Sequence, residues 1–236
     1  KAGIPLEKIT MNLSYIITTK NKLFYLRGNI ERLISHKKKD EEILVADGGS
    51  SDGTKEYIEE LKRAGKIEYA VSEPDFGESH ALNKLFLSAK GTLITIITDD
   101  DSFHYASIVA CKEFMLAHPS IDFLSTNGGS FNKTLEAIKD KTPIELVKAL
   151  NYKRNYREWQ KSHTPFSFCG LGMMLRRDSL PLLGLWNHCF IGADMEYSLK
   201  VTAGKAKIAW YTGYSFVNVK NPKSVKIPTM VIINSA

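Results

Sequence analysis

The chain has 236 residues, 43% of them hydrophobic, which is enough to bury one large core without splitting into two domains. Its 32 basic and 26 acidic side chains leave +6, too modest and too scattered to name a partner. No basic stripe is interleaved with aromatics, so a nucleic-acid-binding domain is not expected. Three cysteines without C-x-x-C spacing argue against a disulfide framework and a zinc site and point to a reducing compartment. No apolar run approaches the roughly 20 residues a bilayer span needs, and Lys1-Ala2-Gly3 opens no signal-peptide h-region. The expectation is a soluble domain.

Leu13–Thr19 is a short β-branched run, and Leu23, Leu26, Ile30, Leu33 and Ile34 follow at helical spacing. The run Lys37-Lys38-Lys39 is followed by Asp40-Glu41-Glu42 and reads as a solvated turn. Ile43–Ala46 predicts a second strand, Asp47–Gly53 a glycine-rich turn, and Tyr57, Ile58 and Leu61 one face of a second helix. Ile67–Val71 predicts a third strand, and Ala81, Leu82, Leu85 and Phe86 a third helix. Leu93–Ile97 predicts a fourth strand running straight into Asp99-Asp100-Asp101. Four such alternations predict an α/β fold with a mostly parallel sheet covered by helices on both faces.

The second half is less regular. Thr142-Pro-Ile-Glu145 combines an N-cap, a first-turn proline and a capping-box glutamate, which predicts a helix starting at Thr142. Gly170–Leu175 reads as a buried strand after a glycine turn. Asp194–Val201 reads as a short helix that stops near Gly204.

In a parallel α/β sheet the ligand site lies beyond the carboxyl ends of the strands. That rule selects the loops Thr18–Asn21, Asp47–Gly53, Glu73–Glu78 and Thr98–Asp101, and three of the four carry carboxylates. Clustered like charge is costly unless a cation or hydrogen-bond donors sit among it. Hard oxygen ligands suit Mg²⁺ or Mn²⁺, whose shell phosphate oxygens and water commonly complete. An isolated Asp triplet is more often a solvated turn. Here its place at the end of an apolar strand, fourth in a βα series, makes it specific. Asp47–Thr54 has neither the Gly-Lys-Ser/Thr ending of a phosphate-binding P-loop nor G-x-G-x-x-G spacing, and Asp52 or Thr54 serves as a cap for the next helix.

Six segments in order carry a resemblance: Ile16–Asn21, Asp47–Thr54, Ser72–Lys84, Gly91–Asp101, Cys169–Arg177 and Gly192–Lys200. Together they resemble family 2 of the inverting glycosyltransferases. The resemblance implies a GT-A fold: a Rossmann-like, mostly parallel sheet with helices on both faces and a smaller acceptor-side region. It implies one catalytic domain over residues 1–236, with a nucleotide-binding half at about 10–101, an acceptor-binding half at 102–217 and a tail at 218–236.

The same resemblance implies that Asp47 reads the base, usually uracil, with Thr19 lining its pocket, while Asp75 and Asn83 close over the nucleotide. Asp100 falls at the ribose and Asp101 at a divalent metal, Mn²⁺ or Mg²⁺. Asp99, at the family's variable position, is the second metal candidate. Asp194 matches the carboxylate that acts as general base on the acceptor hydroxyl. The implied partners are a nucleotide-sugar donor of the UDP type and a glycan or lipid-linked sugar acceptor, in cell-envelope or capsule polysaccharide synthesis. That places the chain in the cytoplasm, with room for peripheral association at the inner face of the membrane.

Departures from the family pattern are Thr18 for Pro, Leu85 for Gly, His80 at a frequently acidic position and Ala193 for the first acid of the pair before Asp194. The late metal-ligating His of many relatives is absent, Asn218 being the nearest polar candidate. Trp186, just ahead of Asp194, lies where the family builds its acceptor side. The rival reading is a catalytically silent module that binds a sugar nucleotide without transferring the sugar.

Overall fold

The computed structural model describes residues 10–131, 146–188 and 192–219. It opens with β1 (Leu13–Thr19), α1 (Leu23–His36), β2 (Glu41–Asp47), α2 (Thr54–Arg63), β3 (Tyr69–Ser72), α3 (Glu78–Ser88) and β4 (Leu93–Ile96). The expected alternation is present, with β3 at Tyr69–Ser72 rather than Ile67–Val71 and β4 ending at Ile96 rather than Ile97. Then come β5 (Ser102–Phe103), α4 (Tyr105–Ala117), β6 (Phe123–Phe131), β7 (Leu146–Leu150) and α5 (Lys153–Ser162). A 3₁₀ turn at Gly170–Gly172 leads into β8 (Met174–Arg176), and α6 (Leu180–Leu183), α7 (Ala193–Ala203) and β9 (Ile208–Val219) complete the described chain.

One nine-stranded sheet has the order β3-β2-β1-β4-β8-β6-β9-β5, with β7 paired to β6. β3, β2, β1 and β4 are mutually parallel. β8 runs antiparallel to both β4 and β6, so β6 points the same way as β4, and β9 is parallel to β6. Six strands therefore share one direction, and β5, β7 and β8 oppose it. The sheet is mostly parallel, as the motif order implies.

Alternate residues of the central strands feed two cores, because successive side chains leave a strand on opposite faces. Tyr15, Ile17, Ile43 and Val45 pack with Leu26, Ile30 and Leu33 of α1, Ile58 of α2 and Met115 of α4. Ile16, Leu44, Ile94 and Ile96 pack with Leu82 and Leu85 of α3, Tyr197 and Val201 of α7, and Trp159 of α5. Every residue of β1, β2 and β4 is buried, which is the signature of strands covered on both sides.

Two sequence expectations are corrected. Glu41 and Glu42 are not in a solvated turn: they open β2 at 1% and 2% exposure. Their charge is met locally. Lys112 Nζ lies 2.6 Å from Glu41, while the Ser14 hydroxyl and the Lys90 and Gly91 amides donate to Glu42. The helix expected from Thr142 fails over Leu146–Leu150, which is strand β7. Backbone pairing with β6 overrides the local start signal there, and Thr142–Glu145 themselves lie outside the described residues. Among the described residues, no helix is long and apolar enough to cross a membrane.

Candidate active site

The parallel strands β1 to β4 end at one edge of the sheet, and their exit loops surround a cavity of about 1100 Å³. Thr19, Asp75, Asp99, Asp100, Asp101 and Asp194 line it. Residues from six separate segments thus converge, counting Gly170 and Asn218. Asp47 and Asn83 are not on the wall. Asp47 is 2% exposed, and its carboxylate accepts hydrogen bonds from the Ser50 amide and hydroxyl and, at 2.6 Å, from the Ser72 hydroxyl. It holds its own loop against the end of β3. Asn83 instead clamps a second loop, donating to Trp186 O at 2.8 Å and accepting from Trp186 N at 2.9 Å.

The wall carries seven carboxylates, Asp52, Asp75, Glu78, Asp99, Asp100, Asp101 and Asp194, against two ammonium groups, Lys20 and Lys22. Such an imbalance raises the pKa of the acids deepest in the wall. Burial, then the charge of Asp100, pushes Asp101 up to about 7, although Thr98 Oγ1 and the Val219 amide donate to it. Burial likewise raises Asp99, opposed by Lys22 and by the Thr19 hydroxyl at 2.8 Å. Lys22 Nζ lies 3.1 Å from Asp99 Oδ1 and 2.9 Å from Asp100 Oδ2. Burial works against its charge, but these two carboxylates outweigh it and raise its pKa.

Asp194, on the same wall, sits in the first turn of α7 and accepts the Gly170 amide at 2.9 Å. The protein crowding it raises its pKa, and the Gly170 N–H pulls the other way. Glu78, at the start of α3, is raised first by burial and then by the charge of Asp194. Trp186 is 3% exposed and stacks on Tyr197 at 4.5 Å and 3°. Its indole N–H is buried at the cavity wall with no hydrogen-bond partner among the described residues.

Sequence reasoning passed over Lys22, Glu78 and the role of Gly170. One signal was legible: Lys22 is the N-cap of α1, where the helix dipole disfavours a cation. A lysine in that place at a strand exit implies negative partners nearby.

Fit to a divalent cation rests on the donor set. Among the described residues, no three His, Cys, Asp or Glu groups are arranged to enclose a metal ion. However, two carboxylate oxygens already converge on one cation, the Lys22 ammonium, and further carboxylates in the same wall are hard oxygen donors. The residues present therefore suit a Mg²⁺- or Mn²⁺-type ion that completes its shell from a ligand.

A mostly parallel α/β sheet with a carboxylate-rich cavity beyond its strand ends defines a ligand-binding α/β protein whose site favours cationic or cation-bound groups. The chain matches the Glycosyl transferase family 2 over residues 14–181, and it belongs to that family. It is 22% identical over 195 residues to the poly-beta-1,6-N-acetyl-D-glucosamine synthase of Staphylococcus epidermidis, covering 80% of this chain and 45% of that protein. The chain thus spans about half the length of this relative. Its fold resembles S. aureus TarS 1-349 in complex with UDP-GlcNAc, with TM-score 0.65, 14% identity, and coverage of 91% of this chain and 60% of the other. It also resembles the mannosyltransferase PcManGT from Pyrobaculum calidifontis in complex with GDP-Man and Mn2+, with TM-score 0.60, 19% identity, and coverage of 89% and 56%. These likenesses identify the GT-A glycosyltransferase fold.

Proposed function

We propose that this glycosyltransferase moves a sugar from a UDP-type nucleotide donor to a hydroxyl of a glycan or lipid-linked acceptor, inverting the anomeric centre. The observation that carries this reading is the placement of Asp99–Asp101 and Asp194 on the wall of one cavity. Residues 10–101 are assigned to the donor and 102–217 to the acceptor.

Transfer separates charge: positive on the sugar ring, negative on the departing diphosphate. When bound, a divalent cation would offset that negative charge, held by Asp101 and Asp99. In this reading Asp100 accepts from the ribose, and Thr19 and Asp75, on the same wall, border the nucleotide. Asp47 and Asn83 act from behind the wall: Asp47 shapes the base loop and Asn83 fixes Trp186.

On the acceptor side, Asp194 takes the hydroxyl proton as the oxygen attacks the anomeric carbon. Its raised pKa makes it a better base than an exposed carboxylate, and the Gly170 N–H fixes the carboxylate through one oxygen. Inversion follows from attack opposite the leaving diphosphate. The polysaccharide synthase relative and the UDP-GlcNAc neighbour make UDP-GlcNAc the first donor to try, and envelope polysaccharide the first acceptor class.

The test follows nucleoside diphosphate release across a panel of sugar nucleotides, with and without chelator. Expected are release that needs a divalent ion and a loss of about 10²–10⁴-fold in Asp194→Asn at unchanged melting temperature. Full transfer to an authentic acceptor by Asp194→Asn would remove the base assignment. Thermal stability indifferent to Mn²⁺ and UDP together would remove the donor site and leave a protein of this fold without the proposed chemistry.

A further inference from the structure

Lys22 occupies an electrostatically awkward place. Its backbone carbonyl accepts the Tyr25 and Leu26 amides at 3.0 Å each, so its side chain leaves from the positive end of α1. Its ammonium nevertheless turns into the cavity and bridges Asp99 and Asp100, whose side chains are 4% and 9% exposed against its own 20%. The bridge is anchored from the protein side at the Asp99 carboxylate and through the backbone of its loop. Thr19 Oγ1 donates to the other oxygen of Asp99, and Asn29 Nδ2 fixes the backbone of the same loop by donating to Thr98 O and Asp101 O. The point on which Asp99 Oδ1 and Asp100 Oδ2 converge is therefore built and holds a cation of the chain itself.

We propose that Lys22 is a built-in counter-ion that makes divalent-cation binding by the Asp99–Asp101 cluster conditional on the donor's diphosphate. The proposal rests on reading this cavity as the donor site. A divalent ion ligated by Asp99 must take the ammonium's place or lie against it, and either is opposed by like charge. A diphosphate entering beside the cluster changes the balance. It supplies anionic oxygens for the displaced ammonium, and the flexible four-carbon stem of lysine lets Nζ turn to them. The carboxylates then trade a monovalent cation for a divalent one, while Lys22 trades carboxylates for phosphate. Metal without nucleotide is held off, and the pair enters together. By linkage, the ion raises affinity for nucleotide by the factor the nucleotide raises affinity for the ion.

The experiment measures Mn²⁺ affinity by electron paramagnetic resonance for wild type, Lys22→Gln and Lys22→Arg, each with and without UDP. Glutamine keeps a donor near both carboxylates but removes the charge. Expected for wild type is Mn²⁺ binding about 30-fold or more tighter with UDP than without. In Lys22→Gln, Mn²⁺ alone should bind about tenfold tighter than in wild type, and the UDP enhancement should shrink by a similar factor. Lys22→Arg should behave as wild type.

A purely structural role would weaken both affinities together and would overturn the proposal, as would an unchanged Mn²⁺ affinity in Lys22→Gln. If that variant does not fold, wild type still decides, because equal Mn²⁺ affinity with and without UDP overturns the proposal. Wild type binding neither Mn²⁺ nor UDP removes the donor-site reading itself. Wild type binding both while Lys22→Gln matches it removes only the role of Lys22.

Discussion

A Cβ on residue 170 would lie 2.6 Å from Asp194 Oδ1, closer than a real Cβ approaches another heavy atom. Glycine at this position lets the Asp194 carboxylate rest on the backbone and accept the Gly170 amide at 2.9 Å. Gly170→Ala is therefore expected to displace the carboxylate toward the cavity centre and lose that hydrogen bond. Because small misplacements of a reacting group cost about 10²-fold, kcat should fall by that order while folding persists. Steady-state rates beside a melting curve check this, and a fully active Gly170→Ala would mean that Asp194 is not held by this contact. The residue scale also separates contact from support. Thr19, Asp75, Asp99, Asp100, Asp101 and Asp194 face the cavity, whereas Asp47 satisfies its charge on Ser50 and Ser72.

Among elements, α3 joins two parts of the cavity wall, its own first turn and Trp186. Its first turn offers Glu78 to the cavity, and one turn beyond, Asn83 binds both backbone groups of Trp186. On the far side, Trp186 stacks on Tyr197 of α7, and Lys200 donates to Leu185 O. Leu185 and Trp186 are thus held by two helices. Asn83→Ala leaves the partly buried N–H and C=O of Trp186 without partners, a cost of about 1–3 kcal/mol. Urea unfolding should show that loss, with a red shift of tryptophan emission at low urea as Trp186 loosens. Unchanged stability would mean that the clamp is replaced by water at no cost.

Over the whole molecule, the acidic cavity sets the pH response. Asp101 has a folded pKa of about 7 against an ordinary value of 3.8, and Asp99, Glu78 and Asp194 are displaced in the same upward direction. Between these values the folded state holds protons that the unfolded chain has released, so stability falls as pH rises. Each such group removes about 1.4 kcal/mol per pH unit at full effect. Without metal, the melting temperature should drop between about pH 5 and pH 7 and level off above. Asp101→Asn should flatten the slope, and Mn²⁺ with UDP should restore stability most at the higher pH, where the carboxylates are charged. A metal-free melting temperature that climbs over this interval would contradict the assignment.

Much of this was legible in the chain itself. Apolar runs of four to seven residues separated by helical spacing fixed the order β1 to β4, because strands covered on both faces are apolar along most of their length. The carboxylates at the ends of those runs marked the edge of the sheet where ligands bind. Local pattern misled where charge is buried or pairing is distant. Glu41 and Glu42 look solvated in sequence and are neutralised by Lys112, Ser14 and backbone amides. Leu146–Leu150 follows a helix-start signal and pairs with β6 instead. Only the tertiary structure set Lys22 between Asp99 and Asp100, bound Asp47 to Ser72, seated Asp194 on Gly170 and tied Asn83 to Trp186. Those contacts join residues from 24 to 103 positions apart, and in the Lys22 pairs 77 and 78. Periodicity along the chain carries no record of distances that long, whereas burial, charge and the direction of strands together do.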